Sequence, residues 1–162
     1  MTQKPEKPKG RGGAFTPNIV NKKARFQFVL LEKLEAGLAL LGSEIKSVRA
    51  GQATLDDAYC RVRDGELFLI GATIAPYEHS NLLNHDPARL RKLLVHRREI
   101  KKLEAKAIQK GFTIVPLRIY FTRGRAKIEI ALAQGKTFGD KREKIRDRQM
   151  KRDIDRAMRR RR

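Results

Sequence analysis

Two dipeptides, Asp64-Gly65 and Arg123-Gly124, constrain this chain more than any other feature. Asp-Gly between apolar runs is the strongest short-range signal for a tight hairpin, so residues 58–63 and 66–70 are predicted to be paired strands. Arg123-Gly124 closes a longer hairpin made of residues 113–122 and 125–133. In it Val115, Leu117, Ile119 and Phe121 face Ala126, Ile128, Ile130 and Leu132, while Arg118, Tyr120, Arg125 and Lys127 face out. Pro116 marks an edge or a bulge. Short hairpins with interposed helices and no βαβ alternation imply a mostly β fold, an antiparallel sheet curled into a small barrel with about three helices. No internal repeat is visible.

The stretch EAGLALLGSEIKSVRAGQA, residues 35–53, joins strand to helix. Its small and apolar start fits a buried strand; Gly42 breaks it, Ser43 stands at the N-cap, and Glu44 lies at the positive end of the helix dipole. Ile45 and Val48 then face inward, Lys46 and Arg49 share another face, and Gly51 ends the helix. Upstream, Phe26, Phe28 and Leu30 alternate as a half-buried strand does. The Asn21, Lys22, Lys23 and Arg25 cluster just before it is held close to the body. A cluster fixed beside a domain can position RNA.

Asp86-Pro87 is expected to open a helical region, with Asp86 as N-cap, that carries Arg89, Arg91 and Lys92. A helix from Arg97 to about Lys110 follows, with Ile100, Leu103 and Ala107 on one face and a stripe of Lys102, Lys106 and Lys110 on another. Gly111 ends it.

Charge says what kind of partner to expect. The formal net charge is +20, divided as +6 over residues 1–25, +6 over 26–133 and +8 over 134–162. A compact body between basic arms suits a polyanion, because each neutralised phosphate releases counterions. Residues 1–20 form a Lys/Pro/Gly-rich arm, 21–133 the body, and 134–162 a tail. That tail is rich in helix formers but has only Met150, Ile154 and Met158 as an apolar stripe. Self-repulsion and costly nucleation predict a tail disordered when free and helical on an RNA surface.

Catalytic and metal readings find little support. Adjacent Asp56 and Asp57 would point to opposite faces of a strand and read as turn residues. His79 and His85, six apart, match neither a helical nor a zinc-finger spacing. Cys60 is the only cysteine and reads as a small strand residue. No metal, cofactor or enzymatic activity is expected. No run approaches the ~18 to 20 apolar residues of a membrane span, and no apolar leader-like segment opens the chain, so a soluble cytoplasmic protein is expected. Residue physics alone leaves a basic single-domain RNA-binding protein, with a ribosomal protein as an equal alternative.

Four segments break that tie. EAG, GSEIKSVRAG, HDPARLRKLLVHRRE and GKTFGDKRE, in this order, resemble the small protein B (SmpB) family, whose members bind transfer-messenger RNA in bacteria. The resemblance runs from Asn21 to about Met158. It implies a barrel of the oligonucleotide/oligosaccharide-binding kind with flanking helices. It implies an adaptor that binds the tRNA-like domain of transfer-messenger RNA and helps deliver it, with elongation factor Tu, to stalled ribosomes for peptide tagging.

The family's contacting acid falls on Glu35, its leucine on Leu94, its basic cluster on Lys22, Lys23 and Arg25, and its tail triad on Asp140, Lys141 and Arg142. Glu35 is then either a readout residue or the support of a neighbouring cation. Asn21, Lys46 and Arg49 join the expected RNA surface, and Lys136, Lys144, Arg148 and Met158 the ribosome-contacting tail. Some relatives carry His before the triad; this chain has Gly139, so a stacking role there is not carried over.

Overall fold

Both dipeptides turn as their chemistry predicts. Asp64 and Gly65 have φ of 52° and 73°, and Arg123 and Gly124 of 50° and 75°, the paired left-handed values of a two-residue hairpin turn. The computed structural model describes residues 17–78, 84–108, 111–136 and, in the C-terminal stretch, 142, 145, 146, 149, 150, 152–154, 156 and 158. Its elements in chain order are β1 (Ile19–Val20), α1 (Ala24–Gln27), β2 (Phe28–Leu38), α2 (Gly42–Arg49), β3 (Ala53–Thr54) and β4 (Tyr59–Arg63). Then come β5 (Glu66–Ile70), β6 (Thr73–Ile74), β7 (Arg91–Leu94), α3 (Arg97–Ala107), β8 (Phe112–Thr122) and β9 (Arg125–Gly135). The chain is mostly antiparallel β with a few helices.

Seven strands pair in the order β1-β8-β4-β5-β7-β2-β9, and β9 also pairs β8. The ladder that leaves β8 through β4 therefore returns to it through β9. Inside lies the main core, with Ala36, Val48, Leu67, Leu69, Leu93, Ile119, Ile128 and Ile130 each at most 1% exposed. Ile100 and Leu103 of α3 cover one side of it, as their helical spacing predicts. Burying each such side chain contributes roughly 1.5–3 kcal/mol. Gly71 is fixed by backbone crowding: its φ is +73°, and a Cβ there would lie 2.9 Å from the Asp57 carbonyl oxygen.

Four expectations are corrected. Phe26 lies in α1, not in a strand; the Asn21 side-chain oxygen accepts the Ala24 N–H at 2.9 Å and turns the chain before β2 begins at Phe28. The N-cap of α2 is Leu41, whose N–H donates to Glu44 Oε2 at 2.8 Å, while the Ser43 hydroxyl bonds His85 Nδ1 at 2.9 Å. Ser43 is thus turned away from the cap by a buried histidine.

The long hairpin does not keep one face. A register shift between Pro116 and Arg118 moves Val115 and Leu117 into a smaller cluster with Ala24, Ala131 and Ala133, while Ile114 and Ile119 stay in the main core. The bulge that Pro116 marks swaps the faces.

Finally, the helix expected from Asp86 does not form. Asp86 Oδ1 accepts the Ala88 N–H at 2.9 Å, but the chain then extends into β7, with Arg91 and Leu93 inward and Lys92 and Leu94 outward. An inward arginine hides strand alternation, and only a distant carboxylate permits it. Arg91, fully buried, donates Nε to Glu44 Oε1 at 2.8 Å and its Nη atoms to the carbonyls of Ala72, Arg89 and Pro87 at 2.7–3.0 Å. Arg89 adds bonds of 2.9 and 2.5 Å to the two oxygens of Glu44. Burial opposes the charge on Glu44, but Arg89, the Leu41 N–H and Arg91 together hold its carboxyl below the usual range.

Candidate nucleic-acid interface

On the outer face Lys33 and Glu35 of β2, and Lys127 and Glu129 of β9, alternate in sign, with Arg118 and Tyr120 of β8 beside them. Glu35 lies directly opposite Glu129, a like-charge pair that is unfavourable by itself. Each is answered separately. Glu129 accepts Arg118 Nε at 2.9 Å and lies 3.8 Å from Lys33 Nζ; Glu35 lies 3.0 Å from Lys127 Nζ and accepts the Tyr120 hydroxyl. Arg118 also lies over the Tyr120 ring, 4.9 Å from its centre. The Tyr120 hydrogen bond first, then Lys127, keeps the Glu35 carboxyl below its ordinary value. Burial, and then the bond to Glu35, pushes the Tyr120 hydroxyl up to about 12. At neutral pH Glu35 is an oriented, ionised acceptor with lone pairs to spare, and its side chain is half exposed.

Leu94 stands beside it. Gly37 of β2 pairs Leu94 of β7, and a Cβ on Gly37 would meet the Leu94 Cβ at 3.1 Å, so glycine lets this leucine lie across the strand. Leu94 is 57% exposed. With Glu35 and Lys127 it lines a groove that continues to Arg97, Arg98 and Lys101 at the head of α3.

A second groove takes Lys22 and Arg25 with Phe26, Leu117 and Arg118. Because Arg118 also stacks on Tyr120, it joins this basic cluster to the Glu35 network. Lys23 pairs Asp57 at 3.0 Å, which also settles Asp57 as a turn residue. Asn21 is buried: Nδ2 donates to the carbonyls of Leu55 and Pro116 at 2.8 and 3.1 Å. Its amide is used within the fold.

Lys46 and Arg49 are exposed on α2, as expected, but aromatic rings hold them and not Glu35. Lys46 Nζ lies 5.1 Å from the centre of the Tyr77 ring; Arg49 lies 5.6 Å from that of Phe121 and donates to the Gly124 carbonyl at 3.4 Å. In the tail, Lys136 Nζ donates to the Arg25 carbonyl at 3.0 Å. Arg142 and Met158 are helical and exposed. Asp140, Lys141, Lys144 and Arg148 lie outside the described residues, as do His79 and Lys110.

The resemblance pointed to Glu35 and Leu94 but not to the residues that hold them. Counting back from the Arg123-Gly124 turn puts Tyr120 opposite Lys127, so that pair was legible. Their meeting with Glu35 depends on β2 pairing β9, which has no local signal.

A fixed, half-exposed carboxylate and an exposed leucine on one β face, beside the cations at the head of α3, define a surface suited to a structured polyanion. The SmpB family profile, described as "SmpB protein", matches residues 18–160. The chain is 51% identical over 142 residues to an SsrA-binding protein of Syntrophobacter fumaroxidans, covering 88% of each. It is 48% identical over 148 residues to one of Syntrophomonas wolfei, covering 91% of this chain and 94% of the relative. A solved structure described as "tmRNA-SmpB: a journey to the center of the bacterial ribosome" is similar in fold, with a TM-score of 0.65 and 46% identity. That match covers 80% of this chain and 95% of the other. The chain belongs to the SmpB family.

Proposed function

We propose that this protein is an adaptor that binds the tRNA-like domain of transfer-messenger RNA and brings it to stalled ribosomes, where the unfinished peptide is tagged. The observation that carries the reading is the Glu35 groove. An ionised acceptor held by Tyr120 and Lys127 can take a hydrogen bond from a base or a sugar hydroxyl. The exposed Leu94 offers apolar contact, and the cations of α3 meet the backbone. The relatives' description as SsrA-binding proteins and the tmRNA-SmpB neighbour support it.

Within this reading the ring of paired strands is a barrel of the oligonucleotide/oligosaccharide-binding kind. Lys22, Lys23 and Arg25 take phosphates, and buried Asn21 positions them. Lys46 and Arg49 extend the same RNA surface from α2. Elongation factor Tu is met indirectly, through the aminoacylated RNA. The protein works in the cytoplasm without cofactor or catalysis; among its described residues no helix is long and apolar enough to cross a membrane. The residues ahead of β1 act as a basic arm; the boundary expected at residue 20 falls earlier, because Ile19 and Val20 pair with Ile119 and Arg118 of β8. The tail, with Lys136, the 140–142 triad, Lys144, Arg148 and Met158, reaches along the small subunit's empty message channel and decoding centre.

The test pairs two measurements on one set of variants. Truncation after Lys136 keeps β9 whole and should leave transfer-messenger RNA affinity within about tenfold, roughly 1.4 kcal/mol. Peptide tagging on ribosomes stalled at a message end should be lost, and Asp140, Lys141 and Arg142 replaced together by Ala should do nearly the same. A truncated protein that tags normally reduces the tail to an electrostatic arm.

A further inference from the structure

We propose that the outer face of β4, β5 and the start of β7 is a second RNA-contacting surface. On it, Tyr59 and Phe68 stack unpaired bases while Arg61 and Arg63 take the adjoining phosphates. It lies beyond the Lys92–Glu66 ion pair, away from Leu94.

Strand alternation builds this face. Tyr59, Arg61 and Arg63 of β4 are exposed, while Cys60 between them is buried; on β5, Phe68 and Ile70 are half-buried around the fully buried Leu69. The register sets Tyr59 opposite Ile70, Arg61 opposite Phe68 and Arg63 opposite Glu66. Leu90, just before β7, is 47% exposed and joins Phe68 and Ile70 in a cleft with Arg61 and Arg63. A second cleft holds Tyr59 and Arg61 with Phe112. Contiguous aromatic and aliphatic groups on the outside of a sheet mark a binding surface.

The charges select the partner. Around Glu35 and Glu129 each carboxylate is matched by cations; here Glu66 is taken by Lys92, and Asp64 and Glu104, which line the same two clefts, form no ion pair with Arg61 or Arg63. Among the described residues Arg61 and Arg63 have no hydrogen-bond or ion-pair partner. Two unmatched guanidiniums beside two aromatic rings fit a ligand carrying both anions and flat π faces. Alternate strand residues are about 6.8 Å apart, so Tyr59, Arg61 and Arg63 form a repeating row along an extended strand of RNA. A duplex keeps its bases stacked inward and offers the rings nothing, so the ligand is unpaired RNA.

The chain contains no tryptophan, which allows a local reporter. In full-length protein carrying Tyr59→Trp, a uridine dodecamer should quench the emission saturably, and a blunt duplex of equal length should leave it unchanged. Adding Arg61→Gln and Arg63→Gln should weaken the quenching at least tenfold and lower its salt slope by about 1.4, ~0.7 per single-strand phosphate. Phe68→Leu, which keeps an apolar side chain, should weaken it about fivefold at constant slope, with circular dichroism confirming the fold.

Anisotropy that reports a bound dodecamer while the emission stays unchanged overturns the proposal. So does equal quenching by the duplex, or by polyglutamate, which would make the face an anion or acidic-protein site. Gel shifts with transfer-messenger RNA keep this outcome separate from the Glu35 groove, whose failure would appear there.

Discussion

Glu44 and Glu35 carry the same charge and are each held by two side-chain donors, yet they do opposite work. Glu44 is fully buried with Arg91, and together with Arg89 they tie α2 to β7. Glu35 is half exposed between Tyr120 and Lys127. A buried charge cannot lose a partner without leaving the other uncompensated, whereas water replaces whatever an exposed one loses. Burial, not the ion pair, decides whether a carboxylate serves the fold or the surface.

The largest effect should therefore come from Glu44→Ala. It strands Arg91 in the interior and should cost about 3–5 kcal/mol in urea unfolding. The pH dependence sharpens this. Because the folded value of Glu44 is depressed, its contribution is present above the unfolded pKa of about 4.3 and is lost as pH falls through the folded value. Wild type should lose stability more steeply below about pH 4.5 than Glu44→Gln does. An unchanged acid limb would show that the carboxylate is not the linking group.

Asn21→Ala comes next, at about 1–3 kcal/mol, since it removes one acceptor and two donors that serve backbone groups of Ala24, Leu55 and Pro116. Unlike Glu44→Ala it should also weaken RNA binding, because the turn that presents Lys22 and Lys23 loses its support. Stability lost with RNA affinity intact would make Asn21 a fold residue alone.

Glu35→Gln tests the other side of the comparison. Its unfolding midpoint should match wild type, while the preference for transfer-messenger RNA over other structured RNAs should fall. Equal loss on both RNAs in competition gel shifts would leave Glu35 as a mere support for Lys127.

These two carboxylates also show how far the sequence could be read. The hairpins, α3 and its Ile100/Leu103 face were legible because turn chemistry and periodicity are local. Glu35 and Leu94 came from resemblance, and neither spacing nor charge would have paired them, since β2 meets β7 through residues 57 apart in sequence. β7 was misread because arginine at an inward position looks polar until its carboxylate, 47 residues away, is known. The face switch at Pro116 was half legible: proline signals a bulge but not which residues cross over.

The smallest effect should come from Glu32. It repeats the arrangement of Glu44, one carboxylate between two cations, with Lys102 at 2.6 Å and Lys106 one helical turn on, clasping β2 to α3. Lys102 first, then Lys106, lowers its carboxyl to about 2. By sign, whatever stability it adds is present above about pH 4.3 and fades as pH falls toward 2. All three side chains are more than a third exposed, however, so water and salt screen the charges. Glu32→Gln should leave the urea midpoint unchanged at physiological salt, with a small loss emerging only at low ionic strength. If it destabilised the protein as much as Glu44→Ala, the count of partners and not their burial would set the energy, and the contrast between Glu44 and Glu35 would need another cause.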